Sequence, residues 1–554
     1  MSDAGAAIMM PRPFFIGTST RDVGGEERAM RFGLGFALAL MAFAAPVEAA
    51  DGPIVTVETG KLQGVAAAGN SPVQIFRGVP YAKPPVGDLR WREPAPAENW
   101  QGVRAADQFA PRCMQQPLYS DMMFRSPAPS EDCLYLNVWT PANLGRSFRA
   151  KLPVLVYVYG GGFMAGDSSE KRYDGAALAK QGIVVVTINY RLGVFGFFAH
   201  PELTAGSSHH ASGNYGLLDQ VAALAWVKRN IAAFGGDPNH ITIGGESAGS
   251  IAVSALMASP LSRDQIVGAI GESGAPMQKL SPPALATAEQ QGAAFAQNIG
   301  APTLAALRAM PADQLLAAQG NAHDMPFDMV IDGYFLTEPP SETFGSGKAA
   351  RVPLLVGSNS QEAPGTAIIG EGPPTVAAYR AGLTRTLGDR ADAVFALYPA
   401  RTDAEVISMA TAVASDDFLA LPTWKWFDLQ RQAGAPTYYY YYTHVRPRFL
   451  LDPGSKPAWG AVHSAEIEYA LGNLDTNPIY AWTDADRKVS ATMNGYWANF
   501  IKTGNPNGAG LPVWPKAPLD AGKIRRQVID VDTHSAPFPE QRRYVAAEPL
   551  IYMH

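Results

Sequence analysis

What most constrains this chain is the stretch from Lys151 onward, where short apolar runs rich in β-branched residues alternate with helix-patterned segments. Pro153-Val154-Leu155-Val156-Tyr157-Val158-Tyr159 and Gly182-Ile183-Val184-Val185-Val186-Thr187-Ile188-Asn189-Tyr190 are unbroken in a way that only strands covered on both faces tolerate. Between and after them come a helix opened by Gly213-Asn214-Tyr215-Gly216 and running to about Phe234, a short strand at His240-Ile241-Thr242-Ile243-Gly244, and a helix over 248–258. Gly235-Gly236-Asp237-Pro238 stops the first helix and Pro260 the second. Further strands are expected at 352–356 and 437–444. Strands alternating with helices predict an α/β fold with a large, mostly parallel central sheet, helices on both faces and long excursions.

The 554 residues would suggest three or four domains at roughly 150 residues each. No Ser/Gly linker or break in composition divides them, so residues 51–554 read as a single domain. With 47% apolar and 17% charged residues the chain has a core to bury and is not disordered. A formal charge of −6 leaves no basic excess for nucleic acid.

Residues 1–50 read differently. Arg31 precedes an uncharged run over 32–47 that ends in Pro46-Val47-Glu48-Ala49-Ala50. A positive residue, a short apolar run and small residues before a cut make a secretory signal. The run is shorter than the roughly 20 residues of a spanning helix, so no stable membrane span is expected; a retained anchor is the alternative. Upstream, residues 1–29 suit neither core nor signal, and Met30 is the expected start. The protein is thus expected to be secreted or periplasmic. Cys113 and Cys133, the only cysteines, are too few for a Cys-based zinc site or iron–sulfur cluster. In an oxidising compartment they read as one disulfide, in the cytosol as two unrelated thiols.

Gly245-Glu246-Ser247-Ala248-Gly249 lies between the third strand and its helix. Small residues on a tight strand-to-helix turn expose the serine Oγ in front of a helix N-terminus, which marks Ser247 as a nucleophile. Gly271-Glu272-Ser273-Gly274-Ala275 repeats the tripeptide without the last glycine in register, so Ser273 is given a supporting role. Tyr159-Gly160-Gly161-Gly162-Phe163 directly follows a strand and lacks the Gly-Lys-Ser/Thr of a phosphate loop. The N–H groups of Gly161, Gly162 and Ala248 are therefore expected to form an oxyanion hole.

With those residues in place the chain resembles the type-B carboxylesterases of the α/β-hydrolase fold, relatives of cholinesterases and p-nitrobenzyl esterases. The likeness runs through Phe76-Arg77-Gly78-Val79-Pro80-Tyr81-Ala82, Ser130-Glu131-Asp132-Cys133-Leu134-Tyr135-Leu136-Asn137-Val138, Asn189-Tyr190-Arg191-Leu192-Gly193 and Thr503-Gly504-Asn505-Pro506. The family's early disulfide matches Cys113 and Cys133. A serine needs a histidine to take its proton and a carboxylate to orient that histidine, in the order serine, acid, histidine. Gly460-Ala461-Val462-His463-Ser464-Ala465-Glu466, before an expected amphipathic helix, resembles the family's histidine motif and implies His463 as the base. Of the others, His444 reads as a strand residue, and His534 and His554 as exposed. Glu362, just past the strand at 352–356, stands where this fold holds its acid, although Ala363 follows where the family has glycine; Asp332 is the competitor and resembles a structural turn.

Glu246 and Glu466 are expected to shape the field around His463. Phe163, His323 and Met325 are expected to line the acyl side of the substrate pocket. The implied partner is a small-molecule ester, attacked by Ser247 without a metal or organic cofactor. A specialised ester, lactone or amide, such as the polycarboxylate ester of a mycotoxin, fits the same machinery. Non-catalytic adhesion relatives characteristically lack the serine or the histidine, and both are here. Neither acyl preference nor oligomeric state is written in the sequence.

Overall fold

A computed structural model of the chain describes residues 52–69, 71–142, 151–320, 327–451, 454 and 459–552. The extension and export signal expected in 1–50 lie outside these residues, as do His323, Met325 and His554.

The apolar runs pair into one eleven-stranded sheet. In chain order its strands are β1 (Val65–Ala66), β2 (Val73–Pro80), β3 (Tyr135–Pro141), β4 (Leu152–Val158), β5 (Val184–Ile188) and β6 (Gly236–Glu246). They continue as β7 (Gly268–Glu272), β8 (Leu354–Asn359), β9 (Thr437–Tyr442), β10 (Arg525–Ile529) and β11 (His534–Pro537). Across the sheet they lie in the order β1-β2-β3-β5-β4-β6-β7-β8-β9-β10-β11. From β5 to β10 every neighbouring pair is parallel, and antiparallel strands flank that block. All of β5, β7 and β8 is buried, as a sheet covered on both faces requires. A separate three-stranded sheet joins Ile54–Val57, Gly60–Gln63 and Val103–Ala105.

The helices that matter for the site are α1 (Tyr215–Asn230), α2 (Ala248–Ala258), α3 (Asp403–Ser415), α4 (Leu421–Gln432), α5 (Ile467–Leu471), α6 (Asp484–Thr503) and α7 (Glu540–Tyr552). Helix α1 tightens into a 3-10 turn over Ile231–Phe234, and Gly235 at φ 81° ends it in the left-handed region. The following strand starts at Gly236 rather than His240. Gly236 already pairs with Leu152, and a bulge before the next pair absorbs Pro238. The strand expected to reach His444 ends at Tyr442. His444 leaves the sheet because its two ring nitrogens stand 3.1 and 2.8 Å from the carboxylates of Asp530 and Asp486. The helix after His463 is short and not amphipathic: every residue of α5 is buried, with α6 packed against it.

One contiguous core runs from Val57 to Ile551. The disulfide Cys113–Cys133 is formed and buried in it. The parallel block aims the C-terminal ends of β4, β6 and β8 at one edge of the sheet, so the loops after them meet there.

Candidate active site

Ser247 sits between the last residue of β6 and the first of α2 at φ 56°, ψ −124°. That left-handed conformation is unusual for a non-glycine residue and is held by its neighbours. A Cβ on Gly249 would stand 2.1 Å from the Val158 carbonyl oxygen, and one on Gly245 2.6 Å from the same atom. The turn closes this tightly onto β4 only because both flanking residues are glycine. The Ser247 N–H donates to the Glu272 carbonyl at 2.7 Å, which locks the turn against β7.

His463 reaches the serine from the far end of the chain. Its Nε2 is 2.8 Å from Ser247 Oγ and its Nδ1 is 2.8 Å from Glu362 Oε2. Glu362 is buried; its Oε1 accepts from Ser273 Oγ at 2.6 Å and from the Asn359 N–H at 2.5 Å. The structure thus brings Ser247, His463 and Glu362 into one hydrogen-bonded relay, with Ser273 seating the acid. Asp332 is elsewhere, accepting the backbone N–H groups of Tyr334 and Leu336 in a turn.

Glu246 lies closer to the imidazole than a remote field would need: its Oε1 is 3.2 Å from His463 Nε2. Glu466 accepts from Asn359 Nδ2 at 2.6 Å and stands 3.4 Å from Ser273 Oγ. Burial pushes Glu246 and Glu466 above the ordinary carboxyl range; repulsion from Glu466 and Glu362 adds to it at Glu246, and repulsion from Glu362 at Glu466. Burial alone would lower the His463 imidazole, but Glu246, then Glu362 and Glu466, outweigh it and raise it to about 9.

The glycine loop after β4 comes up against the serine. A Cβ on Gly160 would be 2.9 Å from the Ser247 Cβ. Gly161 and Gly162 take φ 107° and 65°. Neither of their N–H groups donates to an acceptor among the described residues, and the Ala248 N–H, opening α2, has no intrahelical one. Phe163 is buried against Phe197 and Tyr190 rather than open to a cavity.

Several neighbours of His463 were not legible in the sequence. Ser464 takes φ 66°; Arg446 donates from Nη2 to its carbonyl at 2.6 Å, and Arg172 from Nη1 to its Oγ at 3.3 Å. Arg172 Nη1 also pairs with Asp121 at 3.2 Å, while Glu468 balances Arg446 at 2.6 Å. The Phe418 ring stands edge-on to the imidazole at 5.7 Å, presented by a π-helical turn over Asp416–Ala420 that joins α3 to α4. Arginines far apart in the chain and a turn with no composition of its own leave no local signal. Among the described residues no group of three or more His, Cys, Asp or Glu is set to hold a metal ion.

The large, mostly parallel sheet has the architecture of an α/β hydrolase, and comparison with known proteins agrees. Residues 51–545 match the model of the carboxylesterase family, so the chain belongs to that family, whose members hydrolyse carboxylic esters. It is 36% identical over 482 residues to the fumonisin B1 esterase of Sphingopyxis macrogoltabida, covering 83% of each chain. It is also 36% identical over 525 residues to liver carboxylesterase 1 of Oryctolagus cuniculus, covering 85% of this chain and 89% of that one. Among solved structures, the carboxylesterase of Geobacillus stearothermophilus at pH 6.2 superposes with a TM-score of 0.75 at 32% identity, covering 89% of this chain and 99% of the other.

Proposed function

We propose that this carboxylesterase works through an acyl-enzyme on Ser247. His463 Nε2 takes the Oγ proton as Oγ attacks the ester carbonyl, and Glu362 holds Nδ1–H and stabilises the imidazolium. The N–H groups of Gly161, Gly162 and Ala248 receive the oxyanion, each worth roughly 3–4 kcal/mol. The imidazolium then protonates the leaving alcohol, and water, activated by the same histidine, releases the acid. The single observation that carries this reading is the unbroken relay, 2.8 Å on each side of one imidazole. Replacing Ser247 by Ala should abolish hydrolysis of p-nitrophenyl esters while leaving the circular dichroism spectrum intact, and mass mapping of an organophosphate adduct should land on Ser247. Residual turnover at the wild-type rate, or an adduct elsewhere, refutes the assignment.

A polycarboxylate ester of a mycotoxin is a second substrate reading, favoured by the 36% identity to a protein named for fumonisin B1. Release of free acid from such esters, compared with simple acetates, decides between the two. We also propose that residues 51–554 fold as one domain, supported by the continuous core, and that the protein is exported. The Cys113–Cys133 bridge supports export. Among the described residues no helix is long and apolar enough to cross a membrane.

A further inference from the structure

The histidine of the relay sits in a turn that its own residues do not favour. The Ala465 N–H donates to the Val462 carbonyl at 3.0 Å, which makes 462–465 a four-residue turn with His463 and Ser464 at its centre. Ser464 takes φ 66°, while His463 stays outside the positive-φ region. A left-handed residue at the third position alone is the type II turn, whose usual occupant there is glycine or asparagine. A side chain with a Cβ is strained in that region. Relaxed to negative φ, Ser464 would give a type I turn, which turns over the peptide plane joining it to His463 and changes ψ at His463 by about 150°. An imidazole bonded at 2.8 Å on both sides has no slack for such a change in its own backbone.

Both ends of that peptide flip are pinned. Upstream, Asn359 Nδ2 donates to the Val462 carbonyl at 2.9 Å. Downstream, Arg446 donates from Nη2 to the Ser464 carbonyl at 2.6 Å and from Nε to the Ala465 carbonyl at 3.3 Å. The rest of the guanidinium is committed too: Nη2 also pairs with Glu468 at 2.6 Å, and Nη1 donates to the Tyr480 hydroxyl at 3.0 Å. Arg446 is delivered by the segment leaving β9, where His444 is clamped between Asp486 and Asp530. Arg172 reaches only the Ser464 hydroxyl, at 3.3 Å, and a hydroxyl can rotate without moving the backbone. Of the two arginines, Arg446 is the one that holds the backbone itself.

We infer that Arg446 is a positioning residue for the reaction: by holding the carbonyls of Ser464 and Ala465 it keeps Ser464 left-handed and His463 Nε2 aimed at Ser247 Oγ. It acts through the turn. This inference rests on the reading of Ser247 and His463 given above.

The test compares one substitution in two backgrounds. Arg446→Lys keeps the charge opposite Glu468 but replaces the planar fork by one ammonium, which cannot span the places of Nε, Nη1 and Nη2. With folded protein quantified by circular dichroism, kcat for p-nitrophenyl acetate should fall about tenfold, the scale on which a Cβ disfavours positive φ. In a Ser464→Gly background, where positive φ comes without that strain, the same Arg446→Lys change should lower kcat less than twofold. A residue that merely stabilised the fold would act equally in both. Equal losses in the two backgrounds, or no loss in the first, overturn the inference. Should Arg446→Lys fail to fold, Arg446→Gln combined with Glu468→Gln, which removes the buried ion pair as a whole, runs the same comparison with the same outcomes. His463→Ala runs beside them: turnover retained there counts against the relay itself, whereas turnover lost there with equal losses in both backgrounds counts against Arg446 alone.

Discussion

At Ser247 and at Ser464, 217 positions later, the backbone takes the same left-handed φ, and in both cases surrounding groups hold it there. For Ser247 they are two glycines and a carbonyl; for Ser464 they are two arginine side chains. Between these two strained residues lies the imidazole, and its basicity is set by the carboxylates around it. To accept the Ser247 proton His463 must be neutral. Its raised value therefore places the acid limb of the kcat/KM profile above the 6.5 of a free imidazole and toward about 9. Glu246 is the largest influence raising it, so Glu246→Gln should move that limb to lower pH. Profiles of both proteins from pH 5 to 10 read the shift, and a limb that stays in place or moves upward contradicts the field assigned to Glu246. Sequence alone put Glu246 beside the serine by adjacency, yet its direct approach to a histidine more than two hundred residues away is a product of folding. Local motifs display neighbours along the chain, and only packing displays neighbours across it.

Among the elements, the turn from β6 into α2 and the π-helical turn between α3 and α4 do opposite things. The first is legible in the sequence, since Gly-Glu-Ser-Ala-Gly is what a backbone needs to press this close to another strand. Gly249→Ala would drive a Cβ into the Val158 carbonyl oxygen, which is backbone and cannot swing away. Its expected result is a loss of about 1–3 kcal/mol of stability, read from urea unfolding, with most activity gone as Oγ leaves its place. The second turn left no trace in the sequence, because Asp416-Asp417-Phe418-Leu419-Ala420 is ordinary helical composition. It is supported from outside: the Tyr552 hydroxyl on α7 lies 3.0 Å from the carbonyls of both Asp416 and Asp417, and Arg543 pairs with the Asp416 carboxylate at 2.9 Å. Tyr552→Phe should cost about 1–2 kcal/mol by leaving those carbonyls without that donor. Because Phe418 rides on this turn against His463, kcat should fall as well, and a variant with unchanged melting and unchanged kcat would show that α7 does not support the turn.

In the whole molecule, the strands that read clearly were β4, β5, β6, β8 and β9, where apolar or aromatic runs leave one interpretation. Strands β2, β3 and β10 went unread because polar, glycine or proline residues interrupt them, and so did the buried β7, whose Gly-Ala-Ile-Gly-Glu has a single β-branched residue. The edge strands β1 and β11 and the small N-terminal sheet are short, half-exposed segments that carry no such pattern. The disulfide acts at this scale. Its closed loop stiffens the unfolded chain, and removing it by Cys113→Ala with Cys133→Ala should lower stability by roughly 3 kcal/mol, measured against the oxidised parent. Since the same loop carries Tyr119 and Met122 over Gly161 and Gly162, the double variant should also raise KM. An unchanged KM would mean that Asp121 and Arg172 hold the loop alone.

The relay takes its parts from residues 247, 362 and 463, each delivered by a different strand of a sheet that is finished only by β10 and β11. A ribosome that has released two thirds of this polypeptide has therefore exposed an ordinary alcohol with no base to deprotonate it. On the proposed mechanism, reactivity toward esters therefore switches on late in synthesis, when the last quarter of the chain docks, and copies that stop short of His463 should be inert toward esters.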